Sequence, residues 1–198
     1  MAHLAQRAAT YEDLLAVPEH LVAEILFGEL VTHPRPAPRH AIVVTRLSGI
    51  LGPPFDLGVG GPGGWVFMIE PELHLGKHVT VPDMAGWRHE RFARLPETAW
   101  IDVAHDWICE VLSPSTQSYD RGEKRTIYAE AGVGHLWHVD PVVRMLEVFE
   151  LREGKWLLLD VFHDNANVTA QPFAQVSFSL GLLWPFDPPV EARWPGGG

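Results

Sequence analysis

Trp107-Ile108-Cys109-Glu110-Val111-Leu112 is the stretch on which the fold turns. Side chains of a strand alternate between two faces, so Trp107, Cys109 and Val111 fall on one side and Ile108, Glu110 and Leu112 on the other. Both sides are apolar apart from one glutamate, the pattern of a central strand covered by a layer on each face. A carboxylate buried there costs several kcal/mol unless a counter-charge, a metal ion or an opening to solvent compensates it. The plain alternative is a buried ion pair with a lysine or arginine. Cys109, in the same run, reads as a small buried hydrophobe.

Downstream, Ser113 to Ser118 is a loop rich in N-cap residues. A helix follows to about Ala131 and stops at Gly132. Its inner stripe is Lys124, Ile127, Tyr128 and Ala131. A lysine on such a stripe snorkels to water, pairs with Asp120 one turn earlier, or reaches a cleft. His135 to Val139 reads as a strand and Asp140-Pro141 as a turn. Arg144 to Leu151 and Lys155 to Val161 then form a hairpin about Arg152-Glu153-Gly154.

Upstream, Asp83 follows Pro82 at the end of Val79-Thr80-Val81. Proline suits a strand's end or edge, where a side chain can leave the sheet and face a cleft. The alternative is a turn aspartate followed by Met84-Ala85-Gly86. Short extended runs at Glu72 to Leu75 and Val79 to Val81 bracket a turn at Gly76-Lys77, and Trp65 to Glu70 reads as a strand. His74 and His78 flank that turn, and the glycine between them argues against a helical zinc pair. Gly52 to Gly64 is mostly glycine and proline and lacks a following Gly-Lys-Ser/Thr, so it reads as a long connection or substrate-contacting loop rather than a phosphate cradle. Arg39 to Leu51 reads as a helix with Val43, Leu47 and Ile50 on one face and His40 beside them. Before it stand the stiff connector Pro34 to Pro38, a hairpin of Leu21 to Leu26 with Glu29 to His33, and a short helix capped by Thr10.

The 198 residues fit one domain, residues 1–184, followed by a Pro/Gly-rich surface or disordered tail, residues 185–198. No apolar run is long enough to span a membrane. The first residues lack the apolar core of a signal peptide, which makes a cytoplasmic protein the expectation. A single cysteine excludes an intramolecular disulfide framework and a Cys-based zinc ribbon. The net charge of −10 weighs against tight non-specific binding of nucleic acid. A carboxylate site carrying a divalent ion reverses the field locally, and arginines can still gather on one face. Candidates for such a face are Arg35, Arg39 and Arg46, then Arg88, Arg91 and Arg94, then Arg121 and Arg125. Eight tryptophans and the long hairpin suggest apolar surface for self-association, so a homodimer is expected.

Two acids and a lysine at one sheet edge form a minimal kit for metal-dependent phosphodiester hydrolysis. Asp83 and Glu110 would hold Mg²⁺ or Mn²⁺ through hard oxygen ligands, with waters filling the other positions. The ion would lower the pKa of a bound water and neutralise the scissile phosphate. Lys124 would steady the charged transition state or orient the water.

Residues Asp83, Glu110 and Lys124, in that order, resemble the signature of the PD-(D/E)XK nuclease superfamily. Further blocks point to one branch: Glu24-Ile25-Leu26-Phe27-Gly28-Glu29-Leu30, Pro36-x-Pro38-x-His40, Val81-Pro82-Asp83-Met84-Ala85-Gly86-Trp87, Cys109-Glu110-Val111-Leu112-Ser113-Pro114-Ser115-Thr116, Tyr119-Asp120-Arg121-x-x-Lys124, Tyr128-x-x-Ala131-Gly132-Val133 and Leu136-Trp137-x-Val139-Asp140-Pro141. Together they resemble the Uma-two family of restriction-endonuclease-like proteins, over roughly residues 10 to 184.

The resemblance implies an α/β fold with a restriction-endonuclease-like core, a mixed central sheet flanked by helices, with extra β-hairpins. It also implies Asp83 and Glu110 as metal ligands and DNA as the expected substrate of an endonuclease. The superfamily lysine usually stands two residues after the glutamate, where this chain has Leu112; Lys124 matches a position relocated to the helix. Glu24 and His40 match the family as possible accessory residues, with an ordinary strand carboxylate and a hydrogen-bonded core histidine as the plain alternatives. Two rival functions stand beside the nuclease: a non-cleaving nucleic-acid-binding or interaction module of the same fold, and a metal-dependent hydrolase of a small phosphoester.

Overall fold

Residues 7–92 and 94–186 are described in a computed structural model of the chain. The expected tail from residue 185 falls, from 187 onward, outside the described residues. The run Trp107–Val111 forms strand β7, buried at every position. It lies inside a six-stranded sheet of order β10-β9-β8-β7-β6-β3. The other members are β3 (Trp65–Ile69), β6 (Met84–Arg88), β8 (His135–Asp140), β9 (Met145–Arg152) and β10 (Lys155–His163). β7 and β8 are parallel and the remaining pairs antiparallel, so the sheet is mixed.

The alternation read from the sequence sets the two layers. Trp107, Cys109 and Val111 pack with Val43, Val44, Leu47 and Leu51 of helix α2 (Pro38–Leu51). That helix starts with proline at its first turn, where no amide hydrogen is needed. Ile108 packs on the opposite side with Leu136 and with Tyr128 of helix α4 (Glu123–Glu130). A second sheet, ordered β2-β1-β5-β4, joins the hairpin β1 (Leu21–Leu26) and β2 (Glu29–Pro34) to β4 (Leu73–Leu75) and β5 (His78–Thr80). Both expected hairpins are present, about Phe27-Gly28 and about Glu153-Gly154. Among the described residues no helix is long and apolar enough to cross a membrane.

Four details differ from the sequence reading. Met84-Ala85-Gly86, which the sequence offers only as the continuation of an alternative turn at Asp83, is the start of β6, paired with both β3 and β7. Gly86 is there because of packing: a Cβ would meet the Phe67 ring at 2.9 Å and Trp107 at 3.2 Å. The helix expected to run unbroken to Ala131 is two helices, α3 (Gln117–Arg121) and α4, with Gly122 between them at φ −107° and ψ −97°. Gly52 to Asp56 is not open loop but a turn of π-helix that buries Pro54 and Phe55. Four of the tryptophans, Trp65, Trp87, Trp107 and Trp137, are fully buried and build the core rather than a surface. What the last hairpin exposes is Leu157, Leu158 and Val161 on β10, the sheet's outer strand.

Two buried histidines make the fold acid-sensitive. Burial holds His105 down to about 4, and burial beside Arg121, Arg125 and Lys124 holds His138 down to about 3. Both are neutral in the folded chain while the unfolded chain protonates them near pH 6.5. The stability they contribute is present above that pH and lost as pH falls toward their folded values. Each accounts for about 1.4 kcal/mol per pH unit in this window. In urea titrations at pH 7, 6 and 5, His105→Gln should therefore lose stability less steeply than the parent by about that slope. Parallel profiles would contradict the assignment.

Candidate active site

The backbone fixes the two acids against one another. Asp83 occupies the crossing from β5 to β6, and its carbonyl accepts the Glu70 amide at 3.1 Å. Its Oδ2 accepts the Val111 amide at 2.6 Å, so the side chain is tied to the end of β7. The residue before Val111 is Glu110, which projects from the α4 face of the sheet. Asp83 and Glu110 thereby line one cavity of about 250 Å³, together with His40, Asp120, Lys124 and the loop Ser113 to Thr116. The sequence-predicted residues Asp83, Glu110, Lys124 and His40 all meet there.

Glu110 is 2% exposed. Its Oε1 accepts the Tyr128 hydroxyl at 2.6 Å and lies 2.8 Å from Lys124 Nζ. Burial pushes the Glu110 carboxyl well above its ordinary range; Lys124 opposes this, and Asp120, Asp83 and Glu24 add to it. Tyr128 is pushed up by burial and by Glu110, so its hydroxyl remains a donor. Removing that hydroxyl deletes a hydrogen bond to a charged group, worth about 1.5–3 kcal/mol. Tyr128→Phe should therefore lower the thermal midpoint by about 3–12 °C, at roughly 2–4 °C per kcal/mol for a chain of this size. An unchanged midpoint would mean that the hydroxyl does not support Glu110.

Lys124 reaches the cavity, but its ammonium is enclosed. Besides Glu110 it lies 3.1 Å from Glu24 Oε1 and 3.3 Å from Asp120 Oδ1. An ammonium has three hydrogens, and three carboxylate oxygens take them. Burial pulls the lysine's pKa down, but Glu110, Glu24 and Asp120 outweigh it and raise it well above normal. The plain reading, a pair with Asp120, and the functional reading are both present in one cluster.

Glu24 on β1 is 1% exposed and also accepts the Val81 amide at 2.7 Å. Burial raises its carboxyl, while Lys124, His33 and the Val81 amide together bring it below the usual value. His40 Nε2 donates to Asp83 Oδ1 at 3.1 Å. Burial lowers this histidine, and the contact with Asp83 more than reverses the effect.

Asp120 is the member that the sequence reading did not place in the site. It is 2% exposed, and burial raises its carboxyl against the pull of Lys124 and a hydrogen bond from Thr116. A signal was available: Asp120 extends the stripe of Lys124, Ile127, Tyr128 and Ala131 by one turn. Ser113 Oγ stands 2.9 Å from Ser115 Oγ and 3.0 Å from Thr116 Oγ1, which places three hydroxyls on the cavity wall.

The candidate arginines do not gather around the cavity. Arg35 lines it and lies 3.6 Å from Glu70. Arg91 pairs with Asp106, Arg121 pairs with Glu147 at 2.7 Å, and Arg88 and Arg125 lie over the rings of Trp65 and Phe149. His74 pairs with Glu72 and stacks on Trp100, while His78 Nδ1 accepts the Phe27 amide at 3.0 Å. A separate cavity of about 320 Å³, walled by Ile42, Pro141, Leu183, Trp184 and Phe186 among others, holds no carboxylate.

Among the described residues no three His, Cys, Asp or Glu side chains stand ready as a complete metal cage. Two carboxylates lining one cavity nevertheless suit Mg²⁺ or Mn²⁺, hard ions that keep several of their waters. The charge of the cluster argues the same way: Glu24, Glu110 and Asp120 share one lysine and Asp83 lies on the same cavity, an excess of carboxylates that a divalent ion would offset.

No curated protein matches the chain. The fold is similar to the crystal structure of a "putative nuclease belonging to DUF820" from Anabaena variabilis, with a TM-score of 0.67 and 21% identity, covering 88% of this chain and 97% of that one. A sequence model of the Uma2 family, described as "Putative restriction endonuclease", matches residues 8–182, and with that match the chain belongs to the Uma2 family.

Proposed function

We propose that the protein is a metal-dependent endonuclease that hydrolyses phosphodiester bonds of DNA. The observation that carries this reading is the cavity where Asp83 and Glu110 meet under an excess of carboxylate charge. Family membership supports nuclease chemistry, and the fold is that of a restriction-endonuclease-like protein. Asp83 and Glu110 would hold Mg²⁺ or Mn²⁺, which when bound activates a water and neutralises the scissile phosphate.

The chain's own groups do the rest. The Val111 amide and His40 fix both oxygens of Asp83, so its carboxylate cannot swing away. Tyr128 and Lys124 do the same for Oε1 of Glu110 and favour its ionised form against burial. Lys124 therefore supports the transition state through Glu110; direct contact with a phosphate would require it to release one of its three carboxylates. Neutral hydroxyls of Ser113, Ser115 and Thr116 face the cavity where an acidic side chain would repel a phosphate, and Arg35 adds a positive charge at its edge. In hydrolysis the water oxygen bonds to phosphorus as the phosphorus–oxygen bond of the leaving nucleoside breaks, and the departing oxygen takes up a proton.

Supercoiled plasmid and single-stranded DNA incubated with the purified protein should be cut with Mg²⁺ or Mn²⁺ and left intact with EDTA. Cutting that persists in EDTA would sink the metal reading. A protein that binds DNA without cutting under any divalent ion would favour the non-cleaving module.

A further inference from the structure

We propose that Lys124 holds the place of a second metal ion, so that the site takes a single divalent cation per chain. This inference rests on the metal reading above and says how many ions that site accepts. Two-metal phosphodiesterases set their ions about 3.5–4 Å apart and share a carboxylate between them. Here a shared carboxylate is present, but one of the two cation positions is filled by the chain itself. Lys124 Nζ sits 2.8 Å from Glu110, 3.1 Å from Glu24 and 3.3 Å from Asp120. Those oxygens arrive from three different elements, β7, β1 and α3, and converge on one buried point. The lysine is only 4% exposed, and its three hydrogens match its three partners.

Asp83 lies outside this set. Its oxygens meet His40 and the Val111 amide, and it shares the cavity with Glu110. Glu110 therefore belongs to both positions, with Oε1 turned to Lys124 and Tyr128 and Oε2 taken by neither of those two contacts. Glu24 and Asp120 are ligands of the lysine, not of the metal. Their own supports agree, because the Val81 amide and Thr116 hold them in place around the ammonium. The fourfold carboxylate cluster thus reads as one position for an ion, between Asp83 and Glu110, and one for an ammonium.

Calorimetric titration of the full chain with Mn²⁺ tests this without any substrate. One Mn²⁺ per parent chain is expected, and Asp83→Asn should abolish detectable binding. Glu24→Gln and Asp120→Asn should keep one ion, weakened by no more than about 10–100-fold, as groups acting at one remove do. Lys124→Met should take a second Mn²⁺ into the vacated position. Two ions on the parent would overturn the inference, as would an Asp120→Asn or Glu24→Gln as damaging as Asp83→Asn. One ion on a folded Lys124→Met would overturn it as well. If Lys124→Met does not fold, the parent stoichiometry and the two carboxamide variants decide. No Mn²⁺ on the parent would instead overturn the metal reading on which the inference stands.

Discussion

Glu110→Gln is expected to reduce metal-dependent DNA cleavage by about 10³-fold while leaving the protein folded. A bound ion contributes several kcal/mol to the transition state of phosphodiester hydrolysis, and each 1.36 kcal/mol is tenfold in rate. The amide can still accept from Tyr128 and Lys124 through the oxygen that Glu110 now uses. It cannot offer the ion a negative charge. In metal-free buffer the variant should melt at or above the parent temperature, because it removes one charge from a crowded set of buried carboxylates. Loss of cleavage together with a large drop in melting temperature would mean that Glu110 is a structural ion-pair partner first. Cleavage that survives the substitution would place the chemistry elsewhere.

The second large effect is on stability. Lys124→Met leaves Glu24, Glu110 and Asp120 buried with no cation among them. Removing one partner of a buried ion pair costs about 3–5 kcal/mol, through the charge left behind. For a chain of this size the thermal midpoint should fall by about 6–20 °C in metal-free buffer. The sign of its pH dependence is fixed: the orphaned carboxyls bind protons more readily when folded than when unfolded, so the deficit should shrink as pH falls. A deficit that is small, or that grows toward low pH, would mean that the lysine does not carry the cluster's charge.

How far the sequence could be read depended on how local each cause was. Glu110 was legible because a single acid interrupts an alternating apolar strand. Lys124 was legible as a lysine on a helical stripe, and Asp83 from the proline before it. Asp120 lies on the same stripe as Lys124 but belongs to a separate short helix, and nothing local distinguishes it from a surface partner of that lysine. β6 was hidden by Gly86, whose reason for being there is the Phe67 ring across the sheet. The break at Gly122 was hidden likewise: a Cβ there would meet the Ser118 carbonyl at 2.8 Å, a contact of the folded turn. His40 could be placed on a helix face, but its bond to Asp83 joins elements far apart in the chain. The composition of tryptophan pointed to a surface only because counting residues does not say which way they face.

The central claim, a divalent ion held between Asp83 and Glu110, is tested most directly by an anomalous difference map from crystals grown with Mn²⁺. One strong peak within coordination distance of both carboxylates is the predicted result, with Lys124 Nζ still on Glu24 and Asp120. A peak among Glu24, Glu110 and Asp120 with the lysine displaced, or none on Asp83 at saturating Mn²⁺, would contradict it.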